Sequence, residues 1–114
     1  MTEQQEKRIK DKIKFVQDTL YVISGKWKLP IIISLYYGNA RFKDLQATIP
    51  KITNRVLSKE LKELEANQLI TRTVYDTSPV SIEYALAEYS HTLLPVIQTM
   101  AKWGEQHRVK VTGK

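Results

Sequence analysis

Residues 41–70 constrain the fold of this chain most strongly, because they show the pattern of two helices separated by a tight break. In the second of these helices Leu57, Leu61 and Leu64 recur at i, i+4 and i+7, so they line one side. Basic residues and a serine lie on the opposite side. A helix that is anchored by leucines and presents cations and small hydroxyls outward suits the major groove of DNA.

A hairpin pattern follows the basic helix. Apolar and polar residues alternate over 70–75 and again over 80–86, which is the period of a half-buried strand. Between these runs, Asp76, Thr77, Ser78 and Pro79 are turn-forming residues. The order helix, turn, helix, hairpin predicts a winged helix-turn-helix, mainly α with a small β-hairpin.

The ends of the two central helices can be placed from the sequence. Pro50 ends the first helix, because the residue before a proline avoids the α region. Thr53 is an N-cap candidate for the second helix, since its hydroxyl can accept a hydrogen bond from the first turn. We expect that helix to run to about Asn67.

Residues 29–37 are apolar nearly all round and predict a buried helix closed by Gly38. The β-branched run at 31–33 leaves a strand as the alternative. Pro30 is compatible with a helix that begins shortly before it. Ala40 and Arg41 are candidates for a short strand.

Two apolar stripes lie toward the ends of the chain. The first has spacings of four, three, four and three over residues 9–23, and Ser24 ends its helix. The second follows Glu88, with Pro95 in an early turn or at a kink and a frayed tail from Gln106. The two stripes exceed what one small core needs, which predicts a homodimer. The candidate interface residues are Ile9, Ile13, Val16, Leu20, Leu93, Val96, Ile97, Met100 and Trp103.

Size and composition limit the class of protein. The 114 residues predict one domain over 1–114, with a dimerisation helix in 1–24, the helix-turn-helix and wing in 25–87, and a second dimerisation helix in 88–108. The net charge of +6 favours a polyanionic partner. The start is charged and resembles no secretion signal, and no apolar run could cross a bilayer, so we expect a cytoplasmic protein.

Reactive groupings are absent from the sequence. There is no cysteine, which excludes thiol redox chemistry and thiolate metal sites in this chain. His91 and His107 are isolated, so we expect no metal and no cofactor. No Ser-His-Asp grouping, P-loop or glycine fingerprint is present, and an enzyme is therefore not expected.

The candidate DNA-binding residues fall into three groups. Early residues of a recognition helix reach base edges best, and later lysines reach phosphates. Cations at helix starts and in the break add to the attraction of helix N-termini for phosphate, and hydroxyls at the wing tip can donate to it. The three groups are Thr53, Asn54, Arg55, Ser58, Lys59 and Lys62; Lys26, Lys28, Arg41, Lys43 and Lys51; and Thr77 and Ser78.

Each group also has a structural interpretation without DNA. Lys59 is four residues before Glu63, the spacing of an ordinary surface pair on a helix. Arg41 could hold a carboxylate of its own fold. Thr77 and Ser78 could act only as turn formers.

Aromatic side chains admit two interpretations. Aromatic residues at helical spacing usually belong to a core. If the terminal helices meet at a dimer interface, the same residues could instead bind a small apolar or aromatic effector. The aromatic residues in question are Trp27, Tyr36, Tyr37, Tyr84 and Trp103.

Five motifs occur in order: ISGKWK at 23–28, RFKDL at 41–45, IPKITNRVLSKELKELEANQLITRTVY at 49–75, IEYALAEY at 82–89 and LLPVIQTMAKW at 93–103. With them the sequence resembles the HxlR family of bacterial transcriptional regulators over about residues 14–103. The resemblance implies a winged helix-turn-helix homodimer, joined mainly through its N- and C-terminal helices. It also implies binding to operator DNA, usually as a repressor and sometimes as an activator.

The sequence departs from the family pattern at three places. Where redox-sensing members carry a cysteine, this chain has Lys14, which excludes thiol sensing. The wing arginine of the family is Ser81, which weakens the expectation of a wing contact in the minor groove. The threonine and glycine that open the last helix are Ala87 and Ser90, which removes a cap.

Two other functions fit the same fold. One is a winged-helix protein–protein interaction module, although interface centres are usually depleted in lysine. The other is a sequence-independent DNA-binding protein, which would bind operator and random DNA alike. The sequence-specific regulator remains the main prediction.

Overall fold

A computed structural model describes residues 1–38 and 41–114 of the chain. Those residues form a mainly helical fold with one two-stranded antiparallel sheet, as the sequence predicts. The predicted strand at Ala40 and Arg41 falls partly outside the described residues; Arg41 itself precedes a helix. The elements are α1 Glu3–Ile23, α2 Lys28–Tyr36, α3 Phe42–Thr48, α4 Asn54–Ala66, β1 Ile70–Tyr75, β2 Ser81–Leu86, a 3-10 helix Glu88–Leu93 and α5 Leu94–Thr112.

The apolar segment around residues 29–37 is the buried helix α2, not a strand. Ile31, Ile32 and Leu35 lie in the core. Pro30 is the third residue of α2. An N–H in this first turn has no acceptor within the helix, so the missing N–H of proline costs no hydrogen bond. Gly38 follows the last turn with a φ of 102°, a conformation that glycine adopts without steric strain.

The break between α3 and α4 is held by two buried isoleucines. α3 ends at Thr48, two residues before Pro50, as expected. Ile49 and Ile52 insert into the core on either side of Lys51, which adopts a φ of 67°. A lysine in the left-handed region is uncommon, and the buried neighbours on both sides hold it there.

The hairpin follows the predicted strands and turn. Ile70 pairs with Leu86 and Tyr75 pairs with Ser81, so residues 76–80 connect the strands. The wing packs on the helices through Ile70 at its base, and Tyr84 and Leu86 contact the same core. The outer half of β1 is exposed, which is the form of a projecting wing.

The chain returns to helix less directly than the sequence suggests. Residues 88–93 form a 3-10 helix, and Pro95 then lies in the first turn of α5, one of the two places expected for it. The hydroxyl of the fully buried Ser90 donates to the carbonyl of Leu69, and the amide of Ala87 donates to the same oxygen at 3.0 Å. These bonds fasten the 3-10 helix to the base of the hairpin.

The predicted fraying from Gln106 is wrong, because α5 stays helical to Thr112, where Gly113 ends it. α1 and α5 have 21 and 19 residues and project from the core. The radius of gyration is 17.5 Å, whereas a compact domain of this length has about 13 Å. Among the helices of the described ranges, none combines the length and apolarity that crossing a membrane requires.

Candidate nucleic-acid interface

α4 has one face in the core and the other in solvent. Leu57, Leu61 and Leu64 are buried, and they contact the same core as α2, α3 and β1. Asn54, Arg55, Lys59 and Lys62 are exposed on the remaining surface, and Ser58 is half-buried at its edge. The leucines therefore fix the rotation of α4 about its axis, and the cations point away from the protein.

Thr53 is the N-cap of α4, as predicted. Its Oγ1 accepts a hydrogen bond of 3.2 Å from the amide of Val56. The cap fixes where the helix begins, so Asn54 and Arg55 occupy its first turn with exposed side chains. First-turn residues are the ones that reach base edges when a recognition helix enters the major groove.

Cations surround the break between α3 and α4. Arg41, Lys43 and Lys51 are exposed, and none of them pairs with a carboxylate within the described part of the chain. Among the described residues Arg41 therefore does not bind a carboxylate of its own fold, which was the alternative interpretation of this residue. Lys26 lies over the ring of Trp27, with its Nζ 4.8 Å from the ring centroid, and keeps its charge at the surface.

Lys28 requires a correction. The sequence placed it among the DNA contacts, but its side chain is only 11 % exposed, and its Nζ donates to Glu60 Oε2 and Glu63 Oε2 at 2.6 Å each. Both acceptors are on α4, so Lys28 ties α2 to the recognition helix. Burial alone lowers the pKa of Lys28, but the two carboxylates raise that pKa above its ordinary value of 10.5.

Glu63 joins Lys28 to the surface. It also accepts from Lys59 at 3.0 Å, the i, i+4 pair that the sequence offered as the structural alternative for Lys59. The hydrogen bonds from Lys28 and Lys59 lower the pKa of Glu63 below its ordinary value of 4.5. Lys59 is still largely exposed, so this pair leaves room for a phosphate on its other side.

The wing tip gives a mixed result. The hydroxyl of Thr77 donates to the carbonyl of Pro79 at 2.7 Å, and its amide donates to Tyr75 at 2.9 Å, so Thr77 holds the turn. Ser78 is exposed beside it. Ser81, which stands where the family has arginine, has a buried Oγ without a hydrogen-bond partner in the described ranges.

The sequence did not single out Arg72. It lies on β1 opposite Tyr84 and lines a cavity with Ser58 and Lys62 of α4. The signal that could have found it is the alternation within β1, because the side chains of Ile70 and Arg72 point to the same face of a strand and Ile70 is buried.

The aromatic residues do not share one environment in the single subunit. Trp27 packs on the core, and Tyr84, on strand β2 of the wing, is half-buried against the same core. Tyr36 and Tyr37 contact each other edge to face with centroids 5.1 Å apart. Trp103 stacks on His107 at 4.8 Å, far along α5. An effector pocket that joins them is not formed by one subunit and stays a prediction about the dimer.

The candidate dimer residues separate into two sets. Leu93 and Ile97 pack on the core of their own subunit, which limits what they can offer a partner. The others are exposed despite their apolar character, namely Ile9, Ile13, Val16, Leu20, Val96, Met100 and Trp103. These seven residues on α1 and α5 are called the terminal stripe below.

A helix-turn-helix with an outward basic face, followed by a wing, defines the chain as a winged helix-turn-helix protein of the DNA-binding class. The HxlR-like helix-turn-helix family matches residues 22–111, and the chain belongs to it. It is a DNA-binding transcriptional regulator.

Its relatives carry the same description. The chain is 40% identical over 98 residues to the HTH-type transcriptional regulator YtcD of Bacillus subtilis, covering 86% of this chain and 78% of YtcD. It is 42% identical over 96 residues to YdeP of the same organism, covering 84% of this chain and 75% of YdeP.

Solved structures agree with the fold. The crystal structure of YtcD is similar with a TM-score of 0.77 at 40% identity, covering 81% of this chain and 94% of that one. The redox regulator HypR in its reduced form has a TM-score of 0.80 at 38% identity, covering 87% of this chain and 98% of HypR.

Proposed function

We propose that the protein binds specific double-stranded DNA sites as a homodimer and represses transcription from them, with α4 in the major groove. The observation that carries the proposal is the division of α4. Its leucines are buried in the protein's own core, whereas Asn54 and Arg55 are exposed in its capped first turn. Asn suits adenine and Arg suits guanine, and both are contacts made in the major groove.

The terminal stripe supports the dimer. Its residues are exposed in the single subunit, with Trp103 at 64 % and Leu20 at 51 %. Monomeric proteins rarely leave contiguous apolar surfaces of this kind open to water. A two-fold dimer would place two α4 helices about 34 Å apart, one turn of B-DNA, so the operator should be a pseudo-palindrome. Sedimentation equilibrium should give twice the chain mass of 13.2 kDa.

Fluorescence anisotropy on a selected DNA site and on a scrambled one tests the function. We expect Arg55→Ala to lose roughly 1–3 kcal/mol of discrimination between the two sites. Affinity should also fall by orders of magnitude between low and moderate salt, because phosphate contacts release counterions. Arg108→Ala on α5 is the matched control, since it removes the same exposed charge away from α4.

The alternatives predict different outcomes in the same experiment. A sequence-independent DNA-binding protein would bind both DNAs with equal affinity. In such a protein Arg55→Ala would lower the affinity for both DNAs by the same factor. An interaction module would bind neither. Salt-insensitive binding, equal on both DNAs, would refute the proposal.

Regulation by a ligand needs its own argument. HypR is described as a redox regulator, but this chain has no cysteine for a thiol switch. We propose instead that a small apolar or aromatic compound binds near the dimer interface, where Trp103 is exposed. Such a compound should shift tryptophan fluorescence and weaken DNA binding, while diamide should do neither. Release of DNA by diamide, reversed by reductant, would contradict this mechanism.

A further inference from the structure

A cavity of about 290 Å³ lies between the recognition helix and the wing. On α4 it is lined by Ser58, Leu61, Lys62 and Glu65, and on the hairpin by Arg72 and Tyr84. This cavity is called the helix–wing notch. Leu61 is buried, so the notch has an apolar floor and polar walls.

The backbone directs both hairpin residues into the notch. Arg72 and Tyr84 are directly paired across β1 and β2, so their side chains share one face of the sheet. Ser58 and Lys62 are one turn apart on α4 and share one side of that helix. Two rigid elements therefore bring two cations and two hydroxyls to one place.

The cations of the notch lack the neutralisation that other cations near α4 have. Lys28 and Lys59 are paired with Glu60 and Glu63. In contrast, Lys62 and Arg72 form no ion pair with any residue that the structure describes, and Glu65 is not within ion-pair distance of either. The notch thus keeps a net positive charge, and the repulsion between its cations would be relieved by an anion.

The donor set suits a tetrahedral oxyanion. Arg72 offers a planar fork that can bind two oxygens of a phosphoryl group, and Lys62 offers a point charge. The hydroxyls of Ser58 and Tyr84 have no acceptor among the residues described and can donate as well. The carboxylate of Glu65 repels such an anion, so removing its charge should strengthen binding.

We propose that the helix–wing notch binds one backbone phosphate of DNA through Lys62 and Arg72, with Ser58 and Tyr84 as additional donors. The proposal rests on the proposed DNA binding, because α4 and the wing are the two elements that would approach the duplex. A phosphate held there fixes the position of α4 along the groove without reading sequence. Free phosphate has the same chemistry and is the other source to be tested.

The test measures DNA affinity for Arg72→Gln and Lys62→Gln on the selected and scrambled sites over a range of salt. Each variant should weaken binding to both DNAs by the same factor, roughly tenfold, which is the scale of a hydrogen bond to a charged group. The slope of log affinity against log salt should fall by about 1. Because the two cations hold one phosphate, the double variant should lose less than the product of the single losses.

Two further variants separate binding from folding. Glu65→Gln should raise DNA affinity, a gain that misfolding cannot produce. Arg108→Gln removes the same charge far from the notch and should leave the slope unchanged. Thermal unfolding of every variant should remain within a few degrees of the parent.

Free phosphate is tested by replacing chloride with phosphate at constant ionic strength. Phosphate should displace DNA from the parent more strongly than from Arg72→Gln.

If the parent binds DNA but Arg72→Gln has an unchanged slope of log affinity against log salt, the notch proposal fails while the DNA-binding function stands. If Arg72→Gln keeps the DNA affinity and slope of the parent and differs only in its response to free phosphate, the notch binds the free anion and not DNA. If the parent binds no DNA, both proposals fail.

Discussion

The helix α4 and the N-terminal helix α1 have the same apolar spacing, but their apolar side chains are buried in α4 and exposed in α1. On α4 leucines at 57, 61 and 64 are buried in their own subunit, whereas on α1 residues at 9, 13, 16 and 20 are exposed. α4 is flanked in sequence by elements that fold back on it, whereas the residues of α1 that are not exposed in the described structure lie at its C-terminal end, where Val22 packs on the core and Ile23 is buried. The spacing defines an apolar face, and the surrounding chain decides whether that face stays inside one subunit.

The two regions stabilise the protein in different ways. The core buries its apolar residues within the chain, so its contribution to the free energy of unfolding should not depend on protein concentration. In the proposed homodimer the terminal stripe buries its residues against a second molecule, so its contribution should grow with concentration. The same substitution in the two regions distinguishes them.

Leu57→Ala should have the largest effect. Leu57 is fully buried, and a leucine-to-alanine change in a core costs about 3–4 kcal/mol through lost burial and the cavity left behind. Denaturant unfolding at several protein concentrations should show the same loss at each one. Leu57 does not face the exposed side of α4, so the remaining folded protein should keep its DNA contacts.

Leu20→Ala is the matched change in α1, where the leucine is half exposed. Its loss should be smaller and should diminish as the protein is diluted, because the proposed dimer then dissociates. Sedimentation should show a weakened dimer for Leu20→Ala alone. A concentration-independent loss at Leu20 would mean that α1 packs within its own subunit, and the comparison would then be wrong.

Lys28→Met should have the second-largest effect. The substitution keeps most of the side-chain volume but leaves Glu60, which is 12 % exposed, with only the longer 3.9 Å contact to Lys59 in place of its 2.6 Å bond to Lys28. Breaking a buried ion pair in this way costs roughly 3 kcal/mol. Lys59→Met is the control, because that side chain is 66 % exposed and its pair with Glu63 should contribute less than about 1 kcal/mol.

The pH dependence gives a second measurement of the same pair. The lowered pKa of Glu63 stabilises the fold above its ordinary value of 4.5, and this contribution is lost as the pH falls through the lowered value. The raised pKa of Lys28 stabilises the fold below 10.5, and this contribution is lost as the pH rises through the raised value. The difference between parent and Lys28→Met should therefore be flat between 4.5 and 10.5 and shrink outside that window. A difference that persists in acid would show that lost packing, not charge, causes the effect.

The elements of the core could be predicted because each depends on nearby residues. Pro50, Thr53 and Gly38 act on the backbone beside them, and the leucine period of α4 needs no knowledge of its partners. The hairpin was predictable for the same reason, since alternation and turn residues are local signals. The outward face of α4 follows as the complement of its buried face.

What the sequence did not yield depends on distant residues. Lys28 looks like a surface cation until Glu60 and Glu63, 32 and 35 positions later, are placed against it. Arg72 gains its neighbours Ser58 and Lys62 only when the hairpin folds over α4. Ser90 is a buried donor to the carbonyl of Leu69, a residue 21 positions earlier, and its place beside Ala87 in the sequence does not indicate this bond. Spacing along the chain carries no information about such pairings.

The smallest predicted effect contrasts the N-caps of the two regions. Thr53 caps α4 through the amide of Val56, and Thr2 caps α1 through a reciprocal pair of bonds with Gln5, at 3.1 Å and 2.9 Å. Thr53→Ala should cost about 1 kcal/mol of global stability, because the start of α4 is part of the cooperative core. It should also weaken DNA discrimination, since the cap positions Asn54 and Arg55.

Thr2→Ala removes the same kind of threonine cap from a projecting helix whose first turn can fray without unfolding the core. Denaturant unfolding should therefore show almost no change for Thr2→Ala, while hydrogen exchange should show faster exchange in the first turn of α1. Equal losses of global stability for the two variants would show that α1 unfolds together with the core, and the distinction between the two regions would have to be abandoned.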